Sequence, residues 1–371
     1  MHVVVSQEDL AHGLQIVSRA VASKTTLPVL SGILLEGRGQ TLHLAASDLE
    51  ISIEYQVAAN IKTEGAVVLP ARYFSELIYR IPAEDVEVEV DTGNCTAQVR
   101  WERSEYTIHG LPPDQFPVLP NAETQPPVLA VQKRLFRKMV RQTVFAVGTD
   151  ETRPMLMGVL FEVEGPALTM VATDGVRLAC AQGPLDTEPA GSRKFVVAGR
   201  AMGELQRLLS SAREETITAF CSDNHVAFRF DGILVTTRLL EGQFPDYQLV
   251  IPRTFMTVLR VKRAEFQAAC ERASLISRKD GISPIRISLS PQGTVVTSHV
   301  PEVGKVREEI PATVEGEDLE IAFNARYLTE GLRVVDQDEV VLSFTGPRKA
   351  ASLAPADDES FLYIVLPLTS V

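Results

Sequence analysis

The 371-residue chain repeats itself three times at a spacing of about 125 to 130 residues. Predicted helix openings place Leu10, Phe136 and Phe266 in register, at separations of 126 and 130 residues. Three runs of strand-like composition keep the same two separations: Leu27-Pro28-Val29-Leu30, Arg153-Pro154-Met155-Leu156 and Ser283-Pro284-Ile285-Arg286. A repeat of this length predicts three copies of one structural unit.

The second half of each unit repeats as well. An apolar strand leads into a helix that carries an arginine in its first turn, namely Arg72, Arg200 and Arg326, at separations of 128 and 126 residues. An acidic pair then precedes an alternating strand, and these pairs are Glu84-Asp85, Glu214-Glu215 and Asp338-Glu339. The triplets Gln115-Phe116-Pro117 and Gln243-Phe244-Pro245 lie 128 residues apart and close the first two units.

Prolines mark the joints between the units. The first joint contains Pro112, Pro113, Pro117, Pro120, Pro126 and Pro127, a density that excludes a regular helix or a central strand. Pro245 and Pro252 mark the second joint. We therefore predict three domains, covering residues 1–123, 124–252 and 253–371.

Each unit is predicted to be α+β. In the second unit Phe136, Met139 and Val140 recur at helical spacing. The other positions of that helix carry five basic residues and no acid: Lys133, Arg134, Arg137, Lys138 and Arg141. Between Glu84 and Asp91 valines alternate with carboxylates, which is typical of an antiparallel sheet with one face in water. The pattern predicts basic helices on one side of each unit and acid-faced sheets on the other.

The net charge of −12, from 36 basic and 48 acidic residues, at first argues against a nucleic-acid partner. A closed ring of the predicted units would be basic inside and acidic outside, so its hole would still attract a polyanion. No apolar run approaches the ~20 residues of a membrane helix, and no signal-like start is present, so we expect a cytoplasmic protein.

Catalytic and metal-binding signatures are missing from the sequence. The motifs GxxxxGK[ST], HExxH and GxSxG are absent, and the six histidines are scattered singly. Cys95, Cys180, Cys221 and Cys270 are too far apart for a metal site and are expected to be buried thiols. We expect no active site, no metal and no cofactor.

Several motifs, in this order and at these distances, resemble the bacterial beta sliding clamp family. They are Leu27-Pro28-Val29-Leu30, Val171-Ala172-Thr173-Asp174-Gly175-Val176-Arg177-Leu178, Phe244-Pro245-Asp246-Tyr247, Phe323-Asn324-Ala325-Arg326-Tyr327 and Tyr363-Ile364-Val365-Leu366-Pro367-Leu368. The resemblance spans the whole chain. It implies three similar domains of the DNA-clamp type, each with two helices on the inner face and antiparallel sheets outside, in a head-to-tail dimeric ring that makes the polymerase processive.

The resemblance also implies a hydrophobic cleft that binds short peptides of polymerases, the clamp loader and repair proteins. Its residues are Leu156, Thr173, Gly175, Val176, Arg177, Leu178, Pro245, Leu249, Val250, Ile364, Val365, Leu366, Pro367 and Leu368. Val176 stands where the family often has histidine, and Thr369-Ser370-Val371 extends the tail. Both departures affect the expected peptide preference.

Double-stranded DNA is the second partner that the resemblance implies. The predicted DNA-facing residues are Lys24, Arg72, Lys133, Arg137, Arg141, Arg200, Arg207, Arg263 and Arg333. Pro154 and Met155 occupy positions where well-known members place aromatic residues toward DNA. Cationic contacts of this kind hold phosphates without recognising sequence.

The third implied partner is a second copy of the chain. The resemblance places Tyr106 and Ile108 on the edge of the first unit against Leu275 and Ile276 on the third unit of the neighbour. An edge strand paired across this contact would protect two open sheet edges.

Three features have simpler interpretations. Asp48 and Asp174, 126 residues apart, are expected to cap turns and not to form a catalytic pair. Arg177 is as consistent with a structural salt bridge as with a peptide contact, and a basic helix alone is often only a solvated face. Two competing functions are a β-rich repeat scaffold that binds proteins or glycans without DNA, and an enzyme with an unrecognised site.

Overall fold

The computed structural model describes residues 1–187, 191–210, 213–277 and 282–369. The tail residues Ser370 and Val371, which the sequence marks as a departure from the family, lie outside the described residues. The α-helices within these ranges are α1 Gln7–Val17, α2 Ala71–Arg80, α3 Lys133–Val144, α4 Gly199–Leu209, α5 Arg263–Ser277 and α6 Ala325–Arg333.

The strands of the first part of the chain are β1 His2–Ser6, β2 Gly32–Arg38, β3 Thr41–Ser47, β4 Ile51–Ala58, β5 Asn60–Thr63, β6 Gly65–Pro70, β7 Asp85–Asp91, β8 Thr96–Trp101 and β9 Ser104–His109. Those of the middle part are β10 Pro127–Gln132, β11 Gly158–Glu164, β12 Ala167–Thr173, β13 Arg177–Pro184, β14 Arg193–Ala198, β15 Thr216–Cys221, β16 His225–Phe230 and β17 Ile233–Arg238. Those of the last part are β18 Thr257–Lys262, β19 Pro284–Ser290, β20 Gly293–Val300, β21 Gly304–Ile310, β22 Ala312–Gly316, β23 Leu319–Asn324, β24 Glu339–Phe344, β25 Ala351–Pro355 and β26 Phe361–Val365.

The described chain forms two compact units, each made of two segments. The first consists of Met1–Lys133 with Gly203–Leu239 and holds two antiparallel sheets, ordered β5-β1-β7-β8-β9 and β10-β15-β16-β17-β4-β3-β2-β6. The second consists of Arg134–Met202 with Leu240–Val371 and holds the sheets β14-β11-β12-β13-β26-β25-β24-β18-β22 and β21-β20-β19-β23. Two sheets therefore join strands from different predicted domains, through the β17–β4 and β13–β26 pairs.

The predicted strand-to-helix transitions are confirmed. Each of the six helices begins directly after a strand, and Leu10, Phe136 and Phe266 on the repeat-opening helices are fully buried. In α3 the buried residues also include Met139 and Val140, whereas Arg134 and Arg137 are exposed. The helical spacing of the apolar residues explains this amphipathic packing.

The predicted alternation of β7 is also confirmed. Val86, Val88 and Val90 are buried, and Asp85 and Glu89 between them are exposed. Since successive side chains of a strand point to opposite faces, one face of this sheet packs on the apolar core and the other carries carboxylates to water.

Two of the three strand-like runs were predicted wrongly. The structure has short 3-10 turns at Pro28–Ser31 and Pro154–Met157, and the strands β2 and β11 begin only after them. Proline at the start of each turn fixes φ near the helical value and lacks an N–H for a strand ladder. The third run is a strand, with Pro284 as the first residue of β19.

The cysteines are free thiols, but the prediction of burial holds for only two of them. Cys180 and Cys270 are buried, whereas Cys95 and Cys221 are partly exposed. Among the described residues, no cluster of His, Cys, Asp or Glu side chains is arranged to hold a metal ion. No helix in the described part of the chain is both long and apolar enough to cross a membrane.

Candidate functional site

An apolar groove with a volume of about 510 Å³ lies in the second compact unit. It is lined by Arg153, Pro154, Met155, Leu156, Thr173, Gly175, Val176, Arg177, Leu178, Gln243, Pro245, Asp246, Tyr247, Val250, Ala350, Ile364 and Leu366. A concave apolar site with a few polar groups at its rim is the usual form of a binding site for an apolar ligand or peptide.

The groove has a sheet as its floor. Leu178 on β13 lies directly opposite Ile364 on β26, and each side chain is only 3% exposed. The 3-10 turn Pro154–Met157 and the segment from Gln243 to Val250 supply the walls. Strands from two predicted domains therefore meet beneath a single site.

The turn that carries Thr173 to Leu178 is held by Asp174. One carboxylate oxygen of Asp174 accepts hydrogen bonds from the backbone N–H groups of Val176 and Arg177, at 3.0 Å each. Gly175, between Asp174 and Val176, has a φ of +93°, a conformation that would be strained for a residue with a side chain. Asp48 accepts from two backbone N–H groups at 3.0 and 2.9 Å in the same way. The predicted turn-capping role of both aspartates is confirmed.

Ten of the fourteen residues predicted for the cleft line this groove, and four do not. Val365 alternates with Ile364 along β26, so it faces the core and is 1% exposed. Leu249, on a 3-10 turn, is 82% exposed and does not line the groove. Pro367 and Leu368 lie past β26, where the backbone N–H of Leu368 donates to the carbonyl of Ala322.

Seven lining residues were not among the predicted cleft residues: Arg153, Pro154, Met155, Gln243, Asp246, Tyr247 and Ala350. Most of them lie in motifs that the sequence analysis had already identified, the repeated proline run and the Phe244-Pro245-Asp246-Tyr247 string. Ala350 lies in the connection between β24 and β25 and belongs to no motif, so only the fold could place it here.

Arg177 is part of a buried ion-pair cluster at the groove wall. Its side chain is 6% exposed, its Nε donates to Asp174 at 2.9 Å, and its Nη1 donates to Glu330 on α6. The guanidinium also lies 4.7 Å from the ring centre of Tyr327. Burial lowers the pKa of Arg177, but the hydrogen bond to Glu330 together with the nearby charges of Glu330 and Asp174 outweighs it, and the pKa is raised. The structural interpretation of Arg177 is therefore correct, while its predicted contact with a peptide stays a prediction.

Tyr247 lines the groove and belongs to a second polar network. Its hydroxyl donates to Glu162 at 2.6 Å, and the other oxygen of that carboxylate accepts from Lys194, also at 2.6 Å. Burial and the hydrogen bond to Glu162 both raise the pKa of Tyr247. Burial, with Glu162 nearby, also raises the pKa of Cys180 beneath Tyr247 to about 12. The polar atoms of Tyr247, Glu162 and Lys194 are therefore already hydrogen-bonded to one another.

The predicted DNA-facing cations differ in exposure and in their partners. Lys24, Arg72, Arg137 and Arg200 are exposed, and Lys133 is partly exposed. Several make contacts within the chain: Arg72 lies 3.9 Å from Glu76, Arg141 pairs with Asp336 at 2.6 Å, Arg207 with Glu204, Arg333 with Glu271 at 2.8 Å, and Arg263 donates to the carbonyl of Gln337 at 3.2 Å. The charges of Arg141, Arg207 and Arg333 are thus partly balanced before any phosphate is bound.

The predicted subunit contact involves exposed apolar residues on two elements. Tyr106, 53% exposed, and the partly buried Ile108 lie on β9, the last strand of its sheet, where Tyr106 stacks on Trp101 with ring centres 5.3 Å apart. Leu275, 77% exposed, and Ile276 lie in the last turn of α5. Exposed apolar groups beside an open sheet edge are typical of a surface that a partner covers.

Comparison with known proteins covers almost the whole chain. The models of the DNA polymerase III beta subunit match in order: its N-terminal domain over residues 1–120, its central domain over 130–246 and its C-terminal domain over 248–369. The beta sliding clamp of Bacillus subtilis (strain 168) is 34% identical over 378 residues, which cover 99% of each chain.

Solved structures give the same result. The crystal structure of the DNA polymerase sliding clamp from Bacillus subtilis matches with a TM-score of 0.96 at 33% identity, over 100% of both chains. That of the DNA polymerase III beta subunit from Thermotoga maritima matches with a TM-score of 0.91 at 29% identity, again over 100% of both.

Proposed function

We infer the function of this chain from the premise that it belongs to the DNA polymerase III beta subunit family, the beta sliding clamps. It is a DNA sliding clamp, which encircles duplex DNA without sequence specificity and makes the replicative polymerase processive. The observation that carries this function is the likeness to a DNA polymerase sliding clamp over the full length of both chains. The predicted fold, α+β with three similar domains of the DNA-clamp type, agrees with the three matched domains.

We propose that the clamp adds processivity and no chemistry of its own. The three domains are proposed to cover residues 1–123, 124–252 and 253–371. Two copies would form the ring head to tail, and the exposed cations on the helices, such as Arg72 and Arg137, would face the phosphates. Such contacts attract any duplex, so the ring can slide. We propose that it works on DNA in the cell interior.

Topology tests this function directly. The protein, loaded by its ATP-driven loader onto a nicked circular duplex, should stay bound at a salt concentration that removes free protein. Cutting the circle once should release it, and blocking both new ends with bound proteins should retain it. Equal retention on open-ended and end-blocked DNA would contradict an encircling ring.

We propose that the apolar groove holds short peptides from the polymerase, the loader and repair proteins. Its floor of Leu178 and Ile364 offers apolar surface to the aliphatic or aromatic anchors of a peptide, and Arg177 with backbone groups supplies a polar rim. The test uses fluorescein-labelled peptides that tile the catalytic subunit of the organism's own replicative polymerase.

Replacement of Leu178 by Ala should lower the affinity for the tightest-binding of these peptides by at least about tenfold, or ~1.4 kcal/mol. Leu168→Ala is the matched control, since Leu168 is also a buried leucine on a neighbouring strand, β12, but does not line the groove. Equal peptide affinity of the Leu178→Ala variant and the wild type would remove the groove from this role.

We propose that β9 of one copy meets α5 of the next, so that Tyr106 and Ile108 cover Leu275 and Ile276. Two unlike patches give a closed ring when two copies complete it. The intact protein should have the mass of two 40.6 kDa chains at micromolar concentration in analytical ultracentrifugation. Leu275→Asp should shift it to one chain, and a wild-type monomer would overturn the proposal.

A further inference from the structure

A second cavity of about 290 Å³ lies in the same compact unit and shares Tyr247 with the apolar groove. Its rim is polar, with the side chains of Gln182, Gln248, Arg253, Glu359 and Ser360. We propose that this cavity, named here the polar annex, binds the residues of a partner peptide that lie beyond its apolar anchor. The proposal rests on the function proposed for the groove.

The two cavities share a continuous floor. Along β13, Leu178 belongs to the groove, while Cys180 and Gln182 belong to the annex, and residues two apart in a strand face the same side. On the paired strand the order runs from Ile364 in the groove to Leu362 in the annex. One step along this sheet face, about 7 Å, therefore leads from one cavity to the other.

The pairing of the two strands continues beneath both cavities. Leu178 lies opposite Ile364 and Cys180 opposite Leu362, and the backbone N–H of Gln182 donates to the carbonyl of Ser360 at 2.7 Å. The wall is also continuous: Tyr247 lines both cavities, Val250 lines the groove, and Gln248 lines the annex. An extended peptide that lies on this face can pass from the groove across Tyr247 without leaving the floor.

The chemistry of the annex differs from that of the groove. Gln182, Gln248 and Arg253 are exposed, and the two carboxamides can both donate and accept hydrogen bonds. Arg253 and Glu359 contribute opposite charges, so the rim has no net charge. This set fits peptide backbone and neutral polar side chains, whereas a second aliphatic anchor would leave these groups without partners. The groove provides apolar burial and the annex provides hydrogen bonds to the flanking residues.

The probe is the tightest peptide from the tiling experiment, made in full and with the flanking residues removed one at a time from each end. Gln182→Trp places a large side chain in the annex, while its backbone pairing in β13 remains. Gln56→Trp is the matched control, since Gln56 is an exposed glutamine on β4 and lines neither cavity. Circular dichroism and thermal melting would show that both variants fold.

For the wild type, removal of the flanking residues at one end should weaken binding about three- to tenfold, the effect of one or two hydrogen bonds. Gln182→Trp should bind the full peptide as weakly as the wild type binds the shortened one, and Gln56→Trp should behave as the wild type. Equal affinity of Gln182→Trp and the wild type for the full peptide would overturn the proposal that the annex binds the flanking residues.

The failure of the annex and the failure of the groove give different results. If Leu178→Ala weakens the binding of both the full and the shortened peptide while Gln182→Trp changes the affinity for neither, the role of the groove is supported and that of the annex is not. If Leu178→Ala has no effect either, the function proposed for the groove fails as well. If the Gln182→Trp variant failed to bind the shortened peptide, the tryptophan would be disturbing the groove itself. That result would also count against a separate annex.

Discussion

Arg177 at the groove wall and Glu330 on α6 are joined by an ion pair between residues 153 positions apart in the sequence. Glu330 also accepts from Arg326 at 2.8 Å through its other oxygen. Burial alone would raise the pKa of Glu330, but the hydrogen bonds from Arg326 and Arg177 lower it. A groove residue therefore depends on a helix that is far away in the sequence.

The first prediction concerns the stability that this pair provides. Arg177→Ala should lower the free energy of unfolding by about 3 kcal/mol, because it leaves Asp174 and Glu330 without their buried partner. Arg153→Ala is the control, since Arg153 is 56% exposed and its pair with Asp150 should contribute less than about 1 kcal/mol. Urea unfolding followed by circular dichroism measures both. Similar losses in the two variants would mean that the buried cluster is not stabilising.

The second prediction concerns the affinity for DNA. Glu271 on α5 accepts from Arg333 at 2.8 Å, so Glu271→Gln should leave that arginine free to bind a phosphate. The slope of log affinity against log salt should steepen by about 0.9 for one added phosphate contact. Fluorescence anisotropy on a short linear duplex at several salt concentrations gives this slope.

Arg137→Ala should have the opposite effect, because it removes an exposed cation of α3, and the slope should become shallower by about 0.9. Arg38→Ala is the control, since Arg38 lies at the end of β2 and pairs with Glu36. If Arg38→Ala changed the slope as much as Arg137→Ala, the exposed face of α3 would contribute no more to DNA binding than any other cation of the surface.

Much of the fold followed from periodicity and repetition. The buried faces of β7 and α3 and the strand-to-helix transitions were predicted from residues that are neighbours in the sequence. The groove was predicted less completely, because its residues came from a resemblance that does not say which way a side chain points. Val365 shows this difference, since its alternation with Ile364 already places it on the core face.

Long-range polar contacts could not be predicted from the sequence. The Tyr247–Glu162 hydrogen bond joins positions 85 apart, and the Arg141–Asp336 pair joins positions 195 apart. No local pattern marks such partners, since they depend on how the strands and helices pack. For the same reason the sequence did not show that Arg141 and Arg333, two of the predicted DNA-facing arginines, already pair with Asp336 and Glu271.

The third prediction concerns the reactivity of the thiols. Cys180 is buried and its pKa is raised to about 12, so at pH 8 only a very small fraction is thiolate, the form that reacts. Burial also raises the pKa of Cys270. An aromatic disulfide reagent should therefore modify the partly exposed Cys95 and Cys221 quickly and the other two only after unfolding in urea. Fast modification of a Cys95→Ser, Cys221→Ser double variant in the folded state would contradict this prediction.

The last prediction concerns acid stability. Asp358 accepts from Lys138 at 3.0 Å, from Gln337 at 2.8 Å and from the backbone N–H of Ser360 at 2.8 Å. Burial alone would raise its pKa, but the hydrogen bonds from Ser360 and Lys138 lower it from 3.8 to about 2. A carboxyl group with a depressed folded pKa stabilises the fold above its unfolded pKa, and this contribution is lost as the pH falls toward the folded value.

Asp358→Asn should therefore lower the melting temperature at pH 7, and the gap to the wild type should narrow as the pH falls from about 5 toward 3. Asp357→Asn is the matched control, because it changes the neighbouring exposed carboxylate. Differential scanning calorimetry across this pH range measures the gap. A constant difference between the Asp358→Asn variant and the wild type at every pH would mean that the lost stability comes from the shape of the turn and not from the charge of Asp358.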